Sequence, residues 1–224
     1  MRPSLRVSPM LPLPEILNLE TYRQAIAELA SRDPDLALVL SEWGEPPFWT
    51  QEAGFVGLVI SILAQQVSLE SAQAAFSKLE QAIGTVTPDL FLTLDDSALK
   101  QVGFSRQKAS YVRGIASAIL TGEVDLRALA ATDNDLARQK LMELKGVGPW
   151  TADAYLLFSL CRADAWPTGD LALIKAIQDV RGLPAPLEAE EADAIADQWR
   201  PWRGVAARML WFHYLSARGR LSSA

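Results

Sequence analysis

Apolar positions recur along this chain at intervals of three and four, with polar residues between them, which is the period of helices packed on a core. Tyr22 to Leu29 and Asp35 to Leu40 are two such stretches, and Asp33-Pro34 marks the second start, where proline's fixed φ suits a first turn. Trp43 to Trp49 breaks the period as a rigid, proline-containing loop. Phe55 to Leu63 is apolar nearly all round, the pattern of a central buried helix. It ends at Ala64-Gln65-Gln66-Val67-Ser68, and a further helix runs through Ala75 and Leu79. Thr87-Pro88 and Leu94-Asp95-Asp96 are capping signals for two short helices. Gly103 stops the second before a helix from Arg106 to Ile119. There Ala109, Val112, Ile115, Ala116 and Ile119 face a core, while Arg106, Lys108 and Arg113 look outward. Leu126 to Leu129 and Leu136 to Leu144 follow, with Asp133 as a cap near the latter. Beyond Gly182-Leu183-Pro184-Ala185-Pro186 an acidic helix spans Glu188 to Trp199. Pro201 opens a final helix, Trp202 to Leu215, as a proline tolerated in a first turn. No stretch of useful length alternates with the period of a strand, and no repeat stands out. The pattern predicts an all-α protein.

The stretch richest in chemistry is Leu144-Lys145-Gly146-Val147-Gly148-Pro149-Trp150-Thr151-Ala152-Asp153, followed by Trp166-Pro167-Thr168-Gly169-Asp170. The first is a Gly-x-Gly turn running into an amphipathic helix on which Val147, Trp150, Ala154, Leu157 and Phe158 fall near helical spacing. Glycine supplies a turn with φ > 0 and lets a partner's backbone come close. The turn leaves the next helix's first N–H groups unpaired, a place for a phosphate held by partial charges and not by lysines. The second stretch ends in a carboxylate just before another apolar run, Leu171, Ile174, Ala176 and Ile177. Each half has a plain structural reading. Gly-Val-Gly-Pro is a tight inter-helix turn, and Asp170 is an N-cap. The roles coexist, since a helix dipole favours a carboxylate at its start.

Composition narrows the field. At 224 residues the chain is one large domain or two small subdomains, and it is half hydrophobic with abundant Ala and Leu. A single cysteine, Cys161, excludes a disulfide framework and any four-cysteine cluster, and a single histidine, His213, argues against a zinc site. Met1 to Pro14 reads as a flexible arm and not a signal peptide, and no apolar run approaches a membrane span, so a soluble intracellular protein is expected. The net charge of −6 argues against a binder that grips nucleic acid through a basic surface. That charge is uneven, however. Glu188, Glu190, Glu191 and Asp193 cluster late, while Lys140, Lys145 and Lys175 surround the glycine turn. A grip built from backbone amides needs fewer cations.

Leu-Lys-Gly-Val-Gly-Pro-Trp-Thr-Ala, then a helix, then Pro-Thr-Gly-Asp resembles the helix-hairpin-helix and Gly/Pro…Asp (HhH-GPD) signature of a DNA glycosylase superfamily. With Trp150 it is similar to the alkylation-repair branch, the 3-methyladenine DNA glycosylase II family. The similarity runs from about Tyr22 to Leu215 and takes in Gly103, Lys108 and the closing Trp199-Arg200-Pro201-Trp202-Arg203-Gly204. The resemblance implies two helical subdomains with the active-site cleft between them: residues 15–52 with 170–224, and 53–169 carrying the hairpin. No iron–sulfur cluster is expected.

It implies a catalytic Asp170, a base pocket of Trp150 and Trp211, and Gln66 as the wedge that fills the gap left by an extruded nucleotide. It implies backbone binding by Gly146 and Gly148 with Lys145 and Thr151, and no metal; the one candidate cofactor is a monovalent cation at the hairpin turn. The chemistry is coherent. An electron-rich indole attracts a cationic alkylated base, and a lone carboxylate stabilises the oxocarbenium that forms at C1′. A lysine at the place of Trp150 would imply a Schiff-base lyase; its absence implies a monofunctional enzyme leaving an abasic site.

The expected partner is damaged double-stranded DNA, bound by a monomer at the nucleoid. Two positions depart from the family. Many relatives have leucine at Gln66, and a tyrosine is frequent at Ala154; the neighbouring Tyr155 points about 100° away on an ideal helix. Asp153 and Asp164 are rival carboxylates, and tryptophans 43, 49, 199 and 202 read as core. The alternatives are a non-catalytic DNA-binding module, or the same enzyme acting on 1-methyladenine, 3-methylcytosine, ethenoadenine or deaminated purines.

Overall fold

Side-chain caps set most of the helix starts. The computed structural model describes residues 16–184 and 186–219, so the arm expected at Met1 to Pro14 lies outside the described residues. In α1 (Leu19–Arg32), the Asn18 side chain accepts from the N–H groups of Glu20 and Thr21, and the Asn18 N–H donates to the Thr21 hydroxyl. Asp33 caps α2 (Pro34–Trp43), with proline at its first position. Both helices continue past the ends expected at Leu29 and Leu40. The apolar stripe records only the buried face, while the stops are Asp33 and a left-handed Gly44.

The central helix α3 (Phe55–Leu63) has the expected bounds, with Leu58, Val59 and Ile62 fully buried. Around it lie α4 (Leu69–Ile83), α5 (Pro88–Leu92), α6 (Asp96–Gln101) and α7 (Arg106–Leu120), of which α4 and α7 pack directly on it. Then α8 (Leu126–Ala130) and α9 (Asn134–Met142), the latter capped by Asp133, lead to the glycine turn. Past the turn, α10 (Pro149–Ala154) runs without a break into a widened π turn, Tyr155–Ser159, that the sequence pattern does not anticipate.

The chain then returns to its beginning. Helices α11 (Leu171–Val180) and α13 (Arg203–Ser216) pack on each other and on α2, with α12 (Ala189–Ala196) and a 3-10 turn, Asp197–Trp199, between them. Asp33 ties the return to the start: its carboxylate accepts from Trp199 Nε1 and Arg181 Nη2, both at 2.7 Å. Pro201 is placed differently from the expectation. It lies in the turn before α13, and Trp202 occupies the cap position. Among the described residues no strand forms, only an isolated bridge between Ile16 and Arg162, and no helix is long and apolar enough to cross a membrane.

Asp153 is a buried structural acid. It lies on α10, takes an ion pair from Arg138 Nε of α9 at 2.8 Å, and so braces the two arms of the hairpin. Burial pushes its carboxyl up from 3.8 to about 6, and Arg138 only partly opposes the rise. The folded state therefore binds a proton that the unfolded state has lost between about pH 4 and 6, so this group's contribution to stability grows as pH falls through that window. Thermal melts will show that stability at pH 4.5 relative to pH 7 is lower in Asp153→Asn than in the parent, because the variant lacks the gain that Asp153 contributes on acidification.

Candidate active site

Asp170 sits at a junction of three elements. A turn in which the Asp170 N–H donates to Pro167 O, with Gly169 at φ +75°, delivers it to the start of α11. There its Oδ1 accepts the Leu173 N–H at 2.8 Å, the N-cap bond expected from sequence. Two indoles complete the set. Trp150 Nε1, from the start of α10, donates to Oδ2 at 2.8 Å, and Trp211 Nε1, from α13, donates to Oδ1 at 3.2 Å. Oδ1 thus holds two donors and Oδ2 one, so Oδ2 keeps lone-pair capacity for another group. The three residues singled out for sugar and base chemistry meet in one place.

The aromatic wall extends further than the sequence indicated. Phe158, in the π turn, stacks on Trp211 with ring centroids 5.3 Å apart and planes 21° from parallel. Ala154 is buried, and the Tyr155 ring points into the core, where its hydroxyl accepts the Gly54 N–H at 2.9 Å. Phe158 lay in the apolar stripe of this helix, so its hydrophobicity was legible. Its place against Trp211 depends on the widened turn.

The glycine turn uses its two glycines differently. Gly146 has φ +93°, and a Cβ there would lie 2.2 Å from the Tyr111 ring, so the fold itself demands glycine. Gly148 has φ −90° and a Cβ would meet nothing within 4 Å, so no neighbour in the fold demands glycine there. The Val147 N–H is turned inward onto Leu144 O. Helix α10 starts with no capping side chain and with a proline that lacks an N–H. Its first backbone bond runs from Ala152 to Gly148, leaving the Trp150 and Thr151 N–H groups ahead of the ladder. Thr151 departs from the expectation for its side chain. The hydroxyl is buried and accepts from Gln65, so only its main-chain N–H is offered at the turn.

The corner between α3 and α4 lies across a groove from this turn. Gln66 is exposed and left-handed, at φ +56°. Its neighbour Gln65 binds the corner to the hairpin, Nε2 donating to Gly146 O and Thr151 Oγ1, both at 2.9 Å. Lys108 corrects an expectation. It does not look outward: Nζ turns back to cap α3 through Leu63 O and Gln65 O at 2.8 Å, and burial holds its ammonium below the usual range. The groove, about 870 Å³, is walled by Gln65, Gln66, Tyr111, Gly146, Gly148 and Trp150. Lys145, next to Gly146 in the chain, is exposed. A second hollow of about 590 Å³ is walled by Thr50, Glu52, Gln73 and Glu80 and touches none of these groups.

Other candidates are placed elsewhere. Asp164 is bound by Arg200 and by Arg203, whose backbone N–H, Nε and Nη2 all donate to its carboxylate. Lys175 pairs with Asp179. Of the four tryptophans read as core, Trp199 is fully buried, while Trp43, Trp49 and Trp202 are half-buried.

Residues 59–201 match the family described as HhH-GPD superfamily base excision DNA repair protein, more than half of the chain. The chain belongs to that superfamily. Within the superfamily it is 32% identical over 206 residues to a Mycobacterium tuberculosis protein named "Probable bifunctional transcriptional activator/DNA repair enzyme AlkA", across 88% of this chain and 40% of that protein. It thus spans well under half the length of that relative. It is 27% identical over 169 residues to a Bacillus subtilis DNA-3-methyladenine glycosylase, covering 70% of this chain and 56% of the relative. Among solved HhH-GPD folds, the DNA-3-methyladenine glycosidase of Bacillus halodurans aligns with TM-score 0.74 at 27% identity, across 87% of this chain and 91% of that one. The Schizosaccharomyces pombe 3-methyladenine DNA glycosylase in complex with abasic DNA, at 22% identity, shares the fold, with TM-score 0.76 over 87% of this chain and 97% of that one.

The two glycines separate fold from ligand. Gly146→Ala will cost about 2 kcal/mol or more in denaturant melts, from a left-handed φ and the ring contact. Gly148→Ala will change stability by about 0.5 kcal/mol or less yet weaken duplex binding roughly tenfold in a titration at fixed salt.

Proposed function

We propose that the protein is a monofunctional DNA N-glycosylase that flips alkylated bases of the 3-methyladenine type out of double-stranded DNA and hydrolyses the N-glycosidic bond, leaving an abasic site. The observation that carries this is the meeting of Trp150, Trp211 and Asp170 beside an uncapped hairpin helix. The names of the relatives support the same reading.

The Trp150 and Thr151 N–H groups take a backbone phosphate at the start of α10, with Gly148 allowing close approach and Lys145 alongside. Gln66 enters the stack at the vacated position, its left-handed backbone presenting the side chain outward. The extruded base lies against the indoles, whose electron-rich faces favour a cation. As the C1′–N bond lengthens, positive charge grows on the sugar and the Asp170 carboxylate stabilises it, with Oδ2 the oxygen free to do so or to orient the attacking water. A base that already carries positive charge leaves without a proton donor, which suits a site built around one carboxylate. With tryptophan at position 150 there is no amine at that place to form a Schiff base, so no lyase step follows. Every part of the site comes from one chain, and a monomer suffices.

Duplexes each carrying one modified base test this. The parent will release free base and break strands only after alkali, and Asp170→Asn will slow release by at least about a hundredfold. Equal background release by both would leave a DNA-binding module without chemistry, and strand breakage without alkali would contradict the Trp150 argument. Trp211→Phe keeps a ring for stacking on Phe158 but removes one donor from Asp170. It will slow single-turnover release roughly tenfold with little change in duplex affinity.

A further inference from the structure

Arg208 is a fully buried arginine that this mechanism leaves unused. It projects from α13 one turn before Trp211. Its guanidinium donates to Gly204 O at 3.0 Å, to Trp49 O at 3.3 Å and to Leu157 O at 2.8 Å, backbone carbonyls of three separate segments, and Nε has no hydrogen-bond partner. Among the described residues no carboxylate pairs with it. Its nearest company is aromatic: Cζ lies 5.9 Å from the Tyr22 ring centroid, 5.4 Å from that of Phe48 and 5.5 Å from that of Phe158. Burial pushes its pKa down to about 10, so the group is cationic at neutral pH.

A buried cation without an anion is costly, and a buried salt bridge or an apolar residue is the usual solution. Its position suggests what it does. Phe158 contacts both Arg208 and Trp211: it stacks on Trp211 with ring centroids 5.3 Å apart, and Arg208 Cζ lies 5.5 Å from its own centroid. In the proposed pose a flipped base stacks on the indole face that Phe158 leaves open, with the positive charge of Arg208 behind the aromatic pair. We infer that Arg208 is a specificity-determining residue that extends the proposed base-release reaction to uncharged bases by stabilising the negative charge such a base acquires as it leaves. This rests on the glycosylase reading of Asp170.

The electron count explains the selectivity. When the C1′–N bond breaks, its electron pair goes to the base nitrogen. A cationic base becomes neutral, whereas a neutral base becomes an anion that later takes a proton from solvent; water adds to C1′ in both cases and gives up its proton through Asp170. Among the described residues no histidine bonds to Asp170 or to either indole that holds it. The one histidine, His213, faces away onto α2, its Nδ1 accepting from Trp43 Nε1. A fixed positive charge supplies part of what an acid would, without moving a proton. The same charge weakens the attraction of the wall for a cationic base. With the base roughly 10–14 Å from the guanidinium, two unit charges at an effective dielectric constant of about 20 correspond to roughly tenfold in rate, and a partly developed charge to about fivefold.

The test compares kcat/KM on duplexes carrying hypoxanthine, which is neutral, and 7-methylguanine, which is cationic, for the parent, Arg208→Lys, Arg208→Gln and Arg208→Met, after melts show which variants fold. Glutamine keeps donors for the carbonyls and serves where methionine does not fold. The ratio of hypoxanthine to 7-methylguanine activity will fall about fivefold in the glutamine and methionine variants and hold in the lysine variant. A loss shared equally by both substrates, or one as large in lysine as in glutamine, makes Arg208 a packing residue and overturns the inference. So does a parent that releases 7-methylguanine but not hypoxanthine. Release of neither base by the parent overturns the glycosylase reading itself, and this inference with it.

Discussion

A single carboxylate shared by three N–H donors holds this architecture to its purpose. Leu173 on α11, Trp150 on α10 and Trp211 on α13 each spend a donor on Asp170, and each comes from a different part of the chain. Hydrogen bonds to a charged acceptor contribute about 1.5–3 kcal/mol each, enough to fix the carboxylate's orientation without a cation beside it. That absence matters chemically. An ion pair would spend the negative charge on the protein, whereas three neutral donors do not, which is what the proposed stabilisation of a substrate cation requires. Asp153 and Asp164, both bound by arginines, illustrate the contrast.

The rest of the fold brings those donors together. The return of α11 and α13 onto α1 and α2, pinned at Asp33 by Trp199 and Arg181, sets where Trp211 falls. On the other side Gln65 hydrogen-bonds the exposed corner to the hairpin and so fixes the spacing between the candidate wedge and the candidate phosphate site. On the proposed reading this also fits an acidic chain to a nucleic-acid partner, because a grip made of backbone amides beside Gly148 needs few cations in a chain of net charge −6.

Much of this was legible in the sequence, because helices report their buried faces and caps directly. The bounds of α3 and the caps at Asp133 and Asp170 followed from periodicity and capping chemistry, and the glycine turn and Asp170 could be named together from a motif. What was missed depends on three-dimensional return paths. Lys108 reads as a surface cation on its own helix, and only the end of α3 across from it turns its ammonium inward. Gln65 and Gln66 are identical in composition, and backbone conformation decides which points out. Phe158 needed the π turn to reach Trp211, and a local widening of this kind leaves no mark on hydrophobic periodicity. Arg208 sits at a position whose neighbours are all apolar, and nothing local signals a buried cation there.

The account stands or falls on where a flipped nucleotide lies. The most direct measurement is a crystal structure of Asp170→Asn with a duplex carrying one alkylated base. The base should be found against Trp150 and Trp211, with residue 170 roughly 3–3.5 Å from C1′ and a phosphate on the Trp150 and Thr151 N–H groups. A base lodged away from both indoles, or DNA held on a face that leaves the hairpin free, would contradict it.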